Sequence, residues 1–429
     1  MTGRVRGGCP SLFEPMASGD GLLARVKPPL GRLSAEAARA LAAAARRFGD
    51  GQIELTSRAA LQVRGLSETS LPAFQQAVLA AGLAHPDPAV ERRRNLIVSP
   101  LASRAGLALA AELEGWIADD RALAALPSKF GFAVEASGGD IAVEPDPQGW
   151  RIRLDGCETS GLTAEPLAAI RLITHRFLAL AAEQAEPPRR MAALVGRCRP
   201  EAIFTGLDLT LAEAPNAPSV SLREPPPPLR GGGTWRKMLH REAGELSAKR
   251  TEGAFLAAGP LDRAFALGLP FGAFTAEGLG VAADLTERFA DGELRTSPWR
   301  ALVLVGVSDE ARLKAAAEAA DFVADPHDPR LSVIACAGAP GCASAHAPTR
   351  ADAAVFAAAF GDARPPGLVH LSGCAKGCAH PGPAAVTLVA APDGYGLVRQ
   401  GRAGDAPERR GLTRLQAAEL LAADPAEIT

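Results

Sequence analysis

Apolar and polar positions in this chain follow two periods, and the switch between them recurs. Ala38, Leu41, Ala45 and Phe48 stand three to four residues apart, the spacing that lines one face of a helix. Ser34 lies just ahead of them and suits an N-cap, whose hydroxyl accepts an orphan backbone N–H. Asp50-Gly51 turns the chain, and Gln52–Leu55 and residues 61–64 read as short strands flanking Thr56-Ser57-Arg58. With a strand over Gly21–Val26 and a helix over 71–79, the stretch predicts a β-α-β-β-α piece of ferredoxin-like type.

The same pattern returns later. Pro29-Leu30-Gly31-Arg32-Leu33-Ser34-Ala35-Glu36 corresponds to Pro270-Phe271-Gly272-Ala273-Phe274-Thr275-Ala276-Glu277, an offset of 241. That offset also carries Arg47-Phe48-Gly49-Asp50-Gly51 onto Arg288-Phe289-Ala290-Asp291-Gly292, and Ala60-Leu61 onto Ala301-Leu302. A fainter echo links Gly149-Trp150-Arg151-Ile152-Arg153 to Gly394-Tyr395-Gly396-Leu397-Val398, and residues 95–99 to 331–335. The chain is therefore a duplicated unit of order A–B–A′–B′, not a solenoid. We place A at 1–84, B at 85–223, A′ at 234–314 and B′ at 315–429. Residues 224–233, four prolines followed by three glycines, read as a connector. The B units read as strands alternating with helices over 102–117, 162–182, 350–360 and 412–422, an α/β or α+β layering.

Composition narrows the function. The 429 residues are 47% hydrophobic and 22% charged with a formal charge of −2, values that suggest neither nucleic acid nor an anionic membrane as partner. Aromatic residues make up 5%, with a single tyrosine, which argues against a base-stacking platform. The most apolar runs, such as 37–45 and 301–307, are too short to cross a bilayer. Cys9-Pro10 and Glu14-Pro15 break any signal-like stretch after Arg4 and Arg6. The seven cysteines are odd in number and mostly scattered, unlike a disulfide scaffold, and a reducing cytoplasm is the expected setting.

Four of those cysteines form two pairs, Cys336-x5-Cys342 and Cys374-x3-Cys378, in loops rich in glycine, alanine and proline. Four convergent thiolates with small neighbours suit an iron–sulfur cluster, whose sulfides need close backbone N–H groups. Lys376 would offset its negative charge. Zinc knuckles favour pairs two residues apart, a spacing neither pair has, although zinc and unrelated core thiols remain the alternatives. Cys157 and Cys198 stand alone and read as buried small hydrophobes; Cys9, between Gly8 and Pro10, could be either. Gly278-x-Gly280-x-x-Ala283 sits inside the repeated helix with no strand before it, so it is not read as a dinucleotide site.

Three basic segments precede the cysteines: Leu55-Thr56-Ser57-Arg58, Arg93-Arg94-Asn95 and Leu126-Pro127-Ser128-Lys129-Phe130. Together with the paired cysteines and the duplication, they resemble the T-[ST]-R, R-N and L-P-x-K-F motifs of the siroheme sulfite and nitrite reductase superfamily, over nearly the whole chain. The resemblance implies an α+β fold of duplicated nitrite/sulfite reductase-like architecture, with two ferredoxin-like half-domains and two α/β redox domains related by a pseudo-twofold repeat. It implies that Cys336, Cys342, Cys374 and Cys378 hold one 4Fe-4S cluster, with Cys378 nearest the reacting site. Arg58, Arg94 and Lys129 would grip carboxylates of a bound tetrapyrrole, as guanidinium forks do.

Two departures stand out. Where the reductases carry a second lysine this chain has Gly131, and it is shorter than they are. Its opening, Cys9 through Pro28, is similar to one branch, the precorrin-3B synthases of aerobic cobalamin biosynthesis. That branch implies a monooxygenase that uses O2 to hydroxylate precorrin-3A at C20 with γ-lactone formation. Its implied cofactors are a 4Fe-4S cluster and a mononuclear non-haem iron, with NADH as ultimate reductant acting through a separate reductase. Siroheme belongs only to the alternative, a sulfite or nitrite reductase. Ligands of the second iron are not legible; His346, His370 and His380 flank the cysteine loops, and each reads more simply as a hydrogen-bonding or surface residue.

Overall fold

The computed structural model describes residues 10–198, 203–204, 210–213, 258–261, 264–361, 365 and 367–423. Cys9 and the connector 224–233 lie outside the described residues. The chain divides into two compact units, one built on Pro86–Thr251 and the other on Pro10–His85 with Glu252–Thr429. This grouping sets B apart and gathers A, A′ and B′ into one body.

In that larger body the front half-domain forms as expected. Helix Ala35–Phe48 starts at Ser34, whose hydroxyl accepts from Ala37 N, and buries Ala38, Leu41 and Ala45. Strands Gln52–Leu55 and Leu61–Leu66 pair antiparallel, and Gly21–Val26 joins on the far side of the latter. The copy at 258–324 repeats this, with helix Ala276–Phe289 capped by Thr275. Even the unusual backbone is copied. Leu30 and Phe271 have φ of 52° and 57°, and Ala59 and Arg300 have φ of 53° and 54°, left-handed values that are uncommon for residues with a Cβ.

The two half-domains are not separable. Strand Ala273–Thr275 of the rear copy pairs with Gln52–Leu55 of the front, while Arg32–Ser34 of the front pairs with Glu293–Thr296 of the rear. Each five-stranded sheet thus ends in a strand lent by the other copy. Their helices pack into one apolar core that includes Leu33, Leu41, Phe74, Phe265, Leu279 and Leu294. The local alternation of residues 32–34 predicts a strand no better than a turn; the partner of Leu33 is Leu294, 261 residues away.

The cysteine-bearing sheet runs Val333–Ala335, Val369–Ser372, Ala384–Ala391, Gly394–Gly401, Arg409–Leu412, with the first three parallel and the rest antiparallel. The separate unit has the same order of directions from Leu96–Val98 through Phe132–Val134, Ile141–Asp146 and Gly149–Leu154 to Thr159–Thr163, plus Thr210–Glu213 at the end. The duplication therefore extends to B and B′. Helices Arg104–Asp119 and Pro166–Ala182 cover this sheet's core, in which Phe130 and Phe177 lie 4.6 Å apart. The helix expected over 162–182 begins only at Pro166, because Leu162 and Thr163 complete a strand against Arg151 and Trp150. Among the described residues no helix is long and apolar enough to cross a membrane.

Leu33 is 1% exposed and belongs to the lent strand. Replacing it with alanine should cost about 2–5 kcal/mol. Hydrogen exchange should then rise at 293–296 in the rear copy as well as at 32–34; a change confined to the front copy would contradict the shared core.

Candidate functional site

The two cysteine loops leave the C-terminal ends of neighbouring parallel strands. Ala335 is in register with Leu371, and Cys336 N donates to Leu371 O at 3.2 Å. The next steps lock the loops together: Gly373 N donates to Cys336 Sγ at 3.2 Å, and His346 N donates to Gly373 O at 2.9 Å. Gly373 has to be small, since a Cβ there would lie 2.7 Å from the Ala345 side chain and 3.4 Å from Cys336 Sγ. Thr349, at the start of helix Thr349–Ala359, donates from Oγ1 to Cys336 O at 2.8 Å.

All four thiols share one neighbourhood. Burial pushes the Cys378 thiol up, and Cys374, Cys336 and Cys342 push it further, while Lys376 opposes them. Each of the six described cysteines is a free thiol. Among the described residues no three His, Cys, Asp or Glu side chains converge as the ligands of a single metal ion. An iron–sulfide cube holds its thiolates farther apart than one zinc ion does. The donor set, the backbone N–H aimed at a sulfur and the glycine cradle fit a cluster. Cys157 and Cys198, expected as buried, are instead half-exposed; Cys157 lies in the turn after Gly149–Leu154, where its N donates to Leu154 O.

The front half-domain reaches the first loop through polar groups gathered around the buried Arg64. Gly341 O, next to Cys342, accepts from Ser18 Oγ at 2.6 Å, from Gly19 N at 3.2 Å and from Arg64 Nη2. Arg64, 6% exposed, also donates to Asp20 at 2.7 Å and to Glu54 at 3.1 Å. Glu54 in turn accepts from Arg350 and, at 2.8 Å, from Gln62. Burial drives Glu54 up, yet Arg350 and Arg64 outweigh it and hold the carboxyl below its usual range. Gly19 is pressed onto the loop, where a Cβ would meet Pro340 O at 2.4 Å. None of Ser18, Arg64 and Glu54 was singled out from the sequence, since no motif marks them.

Behind the second loop lie His370 and His380, their rings 5.8 Å apart and nearly perpendicular. His380 Nε2 meets Pro383 O at 3.1 Å. His370 is fully buried with both ring nitrogens unpartnered, and burial, His380 and Arg300 lower its pKa to about 4. His346 is exposed.

The basic motifs divide between the units. Arg58 is half-buried in the turn Thr56–Ala60 of the cysteine-bearing unit, where Thr56 Oγ1 accepts from its backbone N. Arg94 and Lys129 belong to the other unit. There Asn95 Nδ2 donates to Ser128 O at 3.1 Å and to Phe130 O at 3.0 Å, so one side chain pins the loop that carries exposed Lys129. Arg94 is 5% exposed and forks onto Glu91 at 2.9 Å and Glu114 at 2.8 Å. Its guanidinium thus grips this unit's own carboxylates. Gly131 packs on Asn95, whose carbonyl oxygen would stand 3.0 Å from an added Cβ; a lysine there would have to push that strand entrance aside.

Residues 14–81 and 260–322 match the nitrite/sulfite reductase ferredoxin-like half domain, the two copies described above. The structure is similar to that of Mycobacterium tuberculosis NirA, with a TM-score of 0.65 and 16% identity over 94% of this chain and 79% of that one. These likenesses define the class by its fold, which is of the nitrite/sulfite reductase type. Within it, the chain is 33% identical to a precorrin-3B synthase of Sinorhizobium sp, over 94% of this chain and 84% of the relative. It is 26% identical to the ferredoxin–nitrite reductase of Synechococcus elongatus, over 88% and 78%. The chain belongs to the precorrin-3B synthase family.

Asn95→Ala leaves two backbone carbonyls without their donor and should cost about 1–3 kcal/mol. Trypsin should then cut after Lys129 faster than in the parent; unchanged cleavage would show the loop held by other contacts.

Proposed function

We propose that this protein catalyses the O2-dependent hydroxylation of precorrin-3A at C20, with γ-lactone formation, in aerobic cobalamin biosynthesis. The observation that carries the reading is the likeness to a precorrin-3B synthase across almost the entire chain, at 33% identity. Cys336, Cys342, Cys374 and Cys378 would hold a 4Fe-4S cluster, since their loops converge and Gly373 N–H already points at Cys336 Sγ. When bound, that cluster supplies single electrons to the oxygen chemistry. A separate reductase drawing on NADH would feed it.

The chain's own residues then do the binding. Precorrin-3A is a carboxylate-rich macrocycle, and Arg58 and Lys129 offer cationic ends suited to its acidic arms. Arg94, committed to Glu91 and Glu114, would steady the segment from which Asn95 sets the Lys129 loop. For the mononuclear non-haem iron no ligand is proposed, because no described group of three donors suits a single ion. Among the described residues no two cysteines are joined as a disulfide, in keeping with a reducing, cytoplasmic setting.

Purified protein incubated with precorrin-3A should form the hydroxylated lactone under air and none under argon. Equal product in both would remove the monooxygenase reading. Its absorption should show a broad cluster shoulder without haem bands; haem bands would favour the siroheme-dependent alternative. Cys374→Ser should abolish the shoulder. Arg58→Ala should keep it and weaken precorrin-3A binding by roughly 10- to 100-fold, the worth of one charged hydrogen bond.

A further inference from the structure

Each half-domain places one guanidinium on a carbonyl next to a cysteine. Arg64 of the front copy donates to Gly341 O, beside Cys342, and Arg300 of the rear copy donates to Ala379 O at 2.9 Å, beside Cys378. The two arginines differ in their surroundings. Arg64 is flanked by Asp20 and Glu54. Arg300 is 9% exposed, has a buried Nε with no partner, and has no ion pair among the described residues. The one carboxylate whose field raises its pKa, Glu54, already serves Arg64 and Arg350, and Arg350 repels it. His370, fully buried with both ring nitrogens unpartnered, supplies no counter-charge. Asp20, Asp50 and Glu54 thus act on Arg64, and Glu54 also pairs with Arg350, whereas Arg300 has no carboxylate of its own among the described residues and brings its positive charge beside Cys378.

The fold reserves the place for this side chain. Arg300 occupies a left-handed backbone position, at φ of 54°, that its counterpart Ala59 fills with a methyl group. Gly272 makes room for it, since a Cβ there would lie 2.8 Å from Arg300 Cδ. A bulky residue held at positive φ persists only where its surroundings over-determine it.

We infer that Arg300 is a positioning residue for the cluster: it fixes the Cys374–Cys378 loop through Ala379 O and, being unneutralised, raises the cluster's reduction potential. Arg64, by contrast, clamps its loop without adding net charge. The inference rests on the cluster reading above. Net charge near a cluster is among the determinants of its potential. One buried unit charge within roughly 10 Å should change the reduced-to-oxidised ratio at fixed potential by about tenfold, which is about 59 mV for one electron.

The test is a redox titration of the full-length protein followed by electron paramagnetic resonance, with iron and sulfide measured on each sample. Arg300→Gln keeps an N–H donor for Ala379 O but removes the charge, and its potential should fall by that amount. Arg300→Lys keeps the charge and should stay near the parent. Ser18→Ala, which removes a donor from the other loop, should lower cluster content without moving the potential. A clustered Arg300→Gln protein with the parent's potential overturns the inference. So does loss of the cluster from Arg300→Lys, which would make shape, not charge, the requirement. Parent protein without acid-labile sulfide would overturn the cluster reading itself, and this inference with it.

Discussion

Glu54 lies on the front half-domain's sheet opposite Gln62, with Arg64 two residues further along the same face. It accepts from Gln62, Arg64 and Arg350 at once. Buried charges are tolerated only when paired and hydrogen-bonded, and removing one partner leaves an uncompensated ion at a cost of about 3–5 kcal/mol. Arg350 stands in the helix that begins just after the first cysteine loop, and Arg64 donates directly to that loop at Gly341. The loop's conformation is therefore imposed from outside. Small residues suit the tight turns around Cys336 and Cys342, but small residues alone would leave the loop free to wander.

The platform behind this junction is rigid because neither half-domain is complete by itself. Each sheet takes its last strand from the other copy, and the two helices meet in a common apolar core. The exchange has a functional consequence. Front and rear copies each grip one cysteine loop, so the relative placement of the two loops is set by a single interlocked body and not by a hinge.

Duplication also shows what was kept and what diverged. Both B sheets have the same order of strand directions, and Ser99 N donates to Val134 O as Cys336 N donates to Leu371 O. The corresponding backbone carries a hydroxyl in one copy and a thiol in the other. Arg300 and Ala59 differ in the same way on matching left-handed turns. The rear copy has gathered sulfur and charge at one place, while the front copy supplies the clamp.

Much of this was legible in the chain. The 241-residue offset announced the duplication, the helical period and Ser34 located the first helix, and the cysteine spacing pointed to the loops that converge. Such features are local, or are repeats that need no folding to be seen. Three things escaped. The lent strands at 32–34 and 273–275 have no distinctive alternation, and they become strands only because a distant edge is available to pair with them. Ser18, Arg64 and Glu54 look like ordinary surface polars until burial and mutual hydrogen bonds set them together. Arg94 and its neighbours read as a carboxylate grip, yet Glu91 and Glu114 arrive to fill the fork. Residue types and spacings are carried by the covalent chain, whereas which charge meets which carboxylate is a property of the packed interior, where desolvation makes every partner count.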